Sequence, residues 1–303
     1  NSALDKVFFG NSGAEAVEGA IKLARKYGKK NRNGAYEIIT AFNSFHGRTL
    51  TGVSATGQPH YQEAWQPLTP GFVHVPFNDV EAIIEATTGT TAAVMLEPIQ
   101  GEGGVNIPSD DYLQRVREWC DQQGLLLILD EVQTGMGRLG SLFGYEEYGV
   151  EPDVITLAKG LGGGVPIGAF MSKDKCMALE PGDHGSTFGG NPLTTAAAYA
   201  SAKYIVDNDV ASNAKNMGVR LMQRLQELKS RNSIISDVRG KGLLAAVEFT
   251  ADIGAKAISS CNDAGVLFNM VKPNTLRLMP PLNISPEDID EGIVRLEQAL
   301  GNI

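Results

Sequence analysis

Residues 125–135 read LLLILDEVQTG, five aliphatic positions that close on Asp130 and Glu131. A run that is apolar at every position, not at alternate ones, predicts a strand buried on both faces, as in parallel sheets. Residues 153–170, DVITLAKGLGGGVPIGAF, repeat the pattern: a short apolar strand, then Lys159 and a glycine-rich turn. Asp130 and Lys159 lie 29 residues apart, the length of one strand–helix–strand unit. Both are therefore expected at the same edge of one sheet, outside the carboxyl ends of its strands, where ligands of such sheets sit.

Working outward, further apolar strands are expected at 36–41, 72–75, 92–97 and 167–171, with helices at 79–86 and 111–123. In the second helix Tyr112, Leu113, Val116, Trp119 and Cys120 recur on one helical face. The alternation predicts an α/β fold, a mostly parallel central sheet with helices on both faces. From Asn191 the texture changes. Long helices at 192–207 and 211–231 lead into strands at 244–249, 266–268 and 276–278 and helices at 253–263 and 286–300. A large domain of residues 1–208 and a smaller C-terminal α/β domain of residues 209–303 are expected.

The composition narrows the function. Apolar residues make up 43% of the 303 and charged ones 20%, which excludes a disordered chain. Net charge is −9 with no basic stripe, which argues against nucleic acid and anionic membrane as partners. Cys120, Cys176 and Cys261 have no Cys-x-x-Cys spacing, and the four histidines have no metal-ligand spacing, so neither a disulfide framework nor a metal site is expected. Reduced thiols and the lack of a signal peptide or spanning segment point to a cytoplasmic protein. Fourteen of the 35 glycines fall between Gly135 and Gly190, where backbone is expected to approach a ligand or turn sharply.

Several motifs carry candidate chemistry. In NSGAEA, residues 11–16, Ser12 and Glu15 have capping-box spacing. Gly13 and Ala14 would then present N–H groups to an anion at a helix start, although a plain capped helix reads the same way. Asp130 suits a protonated ring nitrogen; Asp130–Glu131 as part of a metal-dependent nucleotide site lacks its phosphate loop. Lys159 in a confined turn suits Schiff-base chemistry. In AFNSFHGRT, residues 41–49, Phe45 offers a stacking face and Arg48 a carboxylate clamp, while Phe45 and His46 also suit a core. HGSTFGGNPL, residues 184–193, offers the Ser186 and Thr187 hydroxyls. Arg277 in NTLRLMPPL suits a cleft or a surface equally. GMGRLG, residues 135–140, matches a dinucleotide fingerprint formally, but five residues separate it from the strand and no long apolar helix follows.

Together NSGAEA, FHGRT, EPIQGEGG, DEVQTGMGR, LAKGLGGG and STFGGNPL resemble the class III, fold-type I aminotransferases, from about Val7 to the C-terminus. The resemblance implies pyridoxal 5′-phosphate as cofactor, an amino acid and a 2-oxo acid as substrates, and a homodimer with active sites shared across the interface. It implies ping-pong transfer through an internal aldimine at Lys159, with Asp130 on the pyridinium nitrogen. Val132 and Phe45 would cover the ring faces, Gln133 would reach the phenolic oxygen, and His46 and Glu131 would adjoin the cofactor. Ser12, Gly13 and Ala14 would hold the phosphate, joined by Thr187 of the other subunit. Ser186, Arg48 and Arg277 would contact substrate, with Glu97 pairing and releasing Arg277. The implied donor is N-acetylornithine with 2-oxoglutarate as acceptor. Ornithine, succinylornithine and 4-aminobutyrate are alternatives within the class, and a dinucleotide-binding dehydrogenase is a remote one. The family carries a segment ahead of NSGAEA, so the small domain is expected to lack its first part.

Overall fold

The apolar runs become strands of two sheets in the computed structural model, which describes residues 2–303. The first unit comprises residues 2–98, 108–135 and 143–204. In chain order it holds β1 (Lys6–Gly10), α1 (Gly13–Asn31), β2 (Glu37–Ala41), α2 (Leu50–Ala55), α3 (Pro59–Gln62), β3 (Phe72–Val75), α4 (Val80–Ala86) and β4 (Thr91–Leu96). There follow α5 (Tyr112–Gln123), β5 (Leu126–Asp130), β6 (Val154–Leu157), β7 (Gly168–Ser172) and α6 (Pro192–Asp207), the last of which runs into the second unit.

The seven strands form one sheet in the order β1-β7-β6-β5-β4-β2-β3. The pairs β2–β3, β2–β4, β4–β5 and β5–β6 are parallel. β7 alone runs the other way, antiparallel to both β6 and β1. Only residues 158–167 join β6 to β7, too short a link for a crossover helix. Every residue of β4 and β5 is buried. The helix α1 lays Val17, Ala20, Ile21 and Ala24 on the sheet face that carries Met95, Leu126, Ile128 and Phe170. Asp130 continues that same alternating face of β5, whereas Glu131 turns off it.

The second unit comprises Ile99–Ile107, Met136–Leu142 and Ile205–Ile303. It holds α7 (Val210–Arg231), β8 (Ile235–Lys241), β9 (Leu244–Phe249), α8 (Gly254–Asp263), β10 (Asn269–Lys272), β11 (Thr275–Leu278) and α9 (Pro286–Leu300). Its sheet is antiparallel, in the order β10-β11-β9-β8. One face gives Val238, Val247, Leu276 and Leu278 to a core shared with Leu225, Ile289, Ile293 and Leu296 of the helices. The other carries Asp237, Arg239, Glu248 and Arg277, and the segment Ile99–Ile107 is tied to it. Arg239 donates to the Gly104 carbonyl at 2.7 Å, and Arg277 pairs with Glu102 at 2.7 Å.

The strands β1 and β8 and the short helices α2 and α3 were not among the expected elements, and two further details differ. A strand was expected at 266–268, but the Val266 N–H bonds the Cys261 carbonyl at the end of α8, so pairing starts only at Asn269. The segments 99–107 and 136–142 belong with the C-terminal residues, an assignment that a single cut at 208 leaves out because it rests on tertiary contacts.

Candidate active site

Strands β1, β2, β4, β5 and β6 point the same way, so the residues that follow each one gather at a single sheet edge. There Ser12–Gly13–Ala14, Phe45–His46–Gly47–Arg48, Glu97, Asp130, Val132–Gln133 and Ala158–Lys159 line a cavity of about 500 Å³, closed further by Gly164–Ile167. The volume suits a small-molecule site.

Asp130 is a buried charge in the wall of this cavity, 4% exposed. Thr156 lies opposite it in the β5–β6 register and donates its hydroxyl to Oδ1 at 2.8 Å. The Val132 N–H also reaches Oδ1, at 3.1 Å, and His46 Nδ1 stands 2.8 Å from Oδ2. Burial by itself would raise the carboxyl pKa; the His46 hydrogen bond and charge, Thr156 and Val132 outweigh it and hold the group below the ordinary range. Two partners occupy Oδ1 and one occupies Oδ2, which leaves Oδ2 able to accept one more donor. His46 Nε2 is buried without a partner.

The start of α1 forms a second wall. Ser12 is its N-cap, extended at φ −153°, and accepts the Glu15 N–H at 3.2 Å. The Gly13 and Ala14 N–H groups have no acceptor within the helix and line the cavity. Glu15 departs from the usual reciprocal cap. Its carboxylate reaches one residue further back, to the Asn11 N–H at 2.6 Å, and also takes the Asn11 amide at 2.9 Å and the Ser186 hydroxyl at 3.3 Å. The turn packs hard on β7: a Cβ at Gly168 would stand 2.0 Å from the Ser12 carbonyl oxygen, so only glycine fits there.

Opposite this wall, Val132 packs against Gly13, and the Phe45 ring is half-buried. The Glu97 carboxylate accepts the Phe45 N–H at 3.1 Å. The Arg48 guanidinium lies over the Tyr61 ring, 4.3 Å from its centroid, and 5.6 Å from that of Phe45. Lys159 stands at φ +44°, a left-handed backbone that costs a non-glycine residue about 1–2 kcal/mol. Strain of this kind gathers at functional sites.

Some expected placements need correcting. Lys159 lines the cavity but is exposed rather than desolvated. Glu131 is buried, but its carboxylate accepts the Gly144 and Tyr145 N–H groups at 2.5 and 2.7 Å; it anchors that loop and does not line the cavity. Ser186 is likewise engaged by Glu15 and by the Gly189 N–H. Thr187, expected at the phosphate of the other subunit, needs no such correction: it is exposed and does not line this chain's own cavity. Within its own unit Arg277 is held by Glu102, five residues beyond Glu97. GMGRLG folds as consecutive turns with Gly137 and Gly140 at positive φ; no helix starts there to meet a dinucleotide. Sequence reasoning passed over Tyr61 and Glu102, although Glu102 stands inside the quoted EPIQGEGG.

A buried carboxylate, a lysine on strained backbone and a helix start around one cavity are the equipment of an enzyme that works on a bound cofactor. The chain belongs to the class III aminotransferases: the family model Aminotransferase class-III matches residues 1–300. Among individual proteins it is 48% identical to the acetylornithine aminotransferase of Caldanaerobacter subterraneus subsp. tengcongensis, over 100% of this chain and 77% of that one. It is 47% identical to the succinylornithine transaminase of Photorhabdus laumondii, over 99% of this chain and 76% of that one. Among solved structures it superposes with TM-score 0.93 on an ornithine aminotransferase from Toxoplasma gondii with pyridoxal phosphate at partial occupancy in its active site. The two are 37% identical, over 98% of this chain and 72% of that one. No helix among the described residues is long and apolar enough to cross a membrane.

Proposed function

We propose that this chain transfers the side-chain amino group of N-acetylornithine to 2-oxoglutarate, giving N-acetylglutamate semialdehyde and glutamate, with pyridoxal 5′-phosphate as cofactor. One observation carries the reading: Asp130, buried and held ionised, faces the same cavity as Lys159 and the bare N–H groups of α1. The donor set fits the cofactor. An anionic oxygen with one free acceptor position suits a protonated ring nitrogen, and a helix start suits a phosphate. When bound, the cofactor supplies a carbonyl to capture the amine and a ring that takes up the electron pair.

The chain's own groups then divide the work. Gly13 and Ala14 donate to the phosphate, with Ser12 fixing the turn. Val132 and Phe45 flank a flat ring, Gln133 donates to its oxygen, and His46 orients Asp130. Lys159 Nζ holds the cofactor between turnovers and carries the proton. Arg48 takes a substrate carboxylate. Arg277 takes the second carboxylate of 2-oxoglutarate in exchange for Glu102. Thr187 reaches a second copy's phosphate. Supporting a dimer, three large apolar side chains in the stretch that follows it, Phe188, Leu193 and Tyr199, are 72%, 76% and 69% exposed. Three unpaired buried cysteines fit the cytoplasm.

Succinylornithine is the second reading, favoured by the 47% identical relative. The test is the visible spectrum of purified protein reconstituted with the cofactor. It should bleach with N-acetylornithine and recover with 2-oxoglutarate, faster than with succinylornithine, while Lys159→Ala gives no turnover. Turnover retained in Lys159→Ala would overturn the reading.

A further inference from the structure

The chain has twelve arginines, and eleven have a hydrogen bond or ion pair to a carboxylate or a backbone carbonyl. Arg48 is the exception. Among the described residues its guanidinium meets only the rings of Tyr61 and Phe45. Contact with a ring face attracts the cation but consumes none of its five N–H donors as hydrogen bonds. Arg48 is therefore aimed without being neutralised, and its donors remain available to an incoming carboxylate.

The ring that aims it is itself fixed. Tyr61 meets Phe45 edge-on, with centroids 5.8 Å apart and planes at 76°. Its short helix, α3, is tied down on both sides: Gln58 donates to the Ser44 carbonyl at 2.9 Å, and Gln62 to the Thr56 carbonyl at 2.7 Å. Tyr61 does not line the cavity, so it acts through Arg48.

We propose that Tyr61 is a positioning residue for substrate selection: its ring fixes the Arg48 guanidinium so that the site prefers amino donors bearing a carboxylate over otherwise identical amines. This rests on the reading of Arg48 as the carboxylate anchor. Hydroxyl chemistry plays no part, so phenylalanine serves in its place and an aliphatic residue does not.

Two readouts test it on the cofactor-loaded protein. The first is the ratio of kcat/KM for N-acetylornithine to that for N-acetylputrescine, the same amine without the carboxylate. The second is the Kd of N-acetylnorvaline, which keeps the carboxylate but has no amine to react, by calorimetry. Tyr61→Leu should lower the ratio and weaken the Kd by about tenfold, in the range of a cation–π contact. Tyr61→Phe should restore most of both. In an Arg48→Ala background Tyr61→Leu should change neither. Should the leucine variant not fold, Tyr61→Met takes its place. An unchanged ratio and Kd, independent effects of the two substitutions, or a wild type that binds N-acetylnorvaline no better than Arg48→Ala, each overturns the proposal. A wild type that turns over another donor but binds N-acetylnorvaline through Arg48 overturns the donor reading alone, and the Kd series still decides the role of Tyr61.

Discussion

His46 Nδ1 stands 2.8 Å from Asp130 Oδ2, and both side chains are buried. The pair explains how a carboxylate stays ionised in the cavity wall. His46→Leu removes one partner of a buried charge, which costs about 1–3 kcal/mol. Because the folded Asp130 pKa lies below the unfolded one, its contribution to stability is present above the ordinary Asp range and is lost as pH falls below about 4. The urea midpoint of His46→Leu should fall well short of wild type at pH 7, and the gap should narrow as pH is lowered through and below the ordinary Asp range. A gap that widens on acidification would show that the imidazole does not support the charge.

Glu131 predicts the opposite slope. Burial, helped by the Glu146 and Asp130 charges, raises its pKa from the ordinary value to about 7, against the pull of the Gly144 and Tyr145 N–H groups. A folded-state pKa above the unfolded one means that stability declines as pH rises through that interval. The melting-temperature advantage of wild type over Glu131→Gln should therefore shrink between pH 5 and pH 8. An advantage that grows over this range would refute the assignment.

Glu102 and Arg277 form a mostly buried pair, 25% and 11% exposed at their side chains. If 2-oxoglutarate must displace Glu102, then Glu102→Gln removes the competitor. Its KM for 2-oxoglutarate should drop about fivefold, the effect of roughly 1 kcal/mol. A raised KM would instead make Glu102 a support for Arg277.

Lys159 offers a test of backbone strain apart from chemistry. Lys159→Gly and Lys159→Ala both remove the amine, but only glycine takes φ +44° without penalty. The glycine variant should be more stable than the alanine one by about 1 kcal/mol in urea unfolding. Equal midpoints would mean that the turn relaxes once the lysine is gone.

What could be read in advance follows from where the signal is local. LLLIL before Asp130 and VITL before Lys159 are buried on both faces, so their apolar runs mark them. The reversal of β7 was also within reach, since ten residues after Leu157 cannot carry a crossover. Glu131 was misplaced because neighbours at a strand end diverge: Asp130 follows the face of Ile128, and Glu131 leaves it. Tyr61 escaped notice because its partner is thirteen residues away in sequence and the contact, a ring under a cation, has no motif. Ser186 looked like a free hydroxyl until Glu15, 171 residues earlier, was found to hold it.

The left-handed turn at Lys159 also bears on how such a chain can decay. On the role proposed for Lys159, the side chain that the chemistry requires is one that its own backbone disfavours. In a duplicated copy released from catalysis, glycine at position 159 would relieve the strain while leaving the sheet and cavity walls intact. A glycine at this position is thus the expected signature of a relative that keeps the architecture and has given up the reaction.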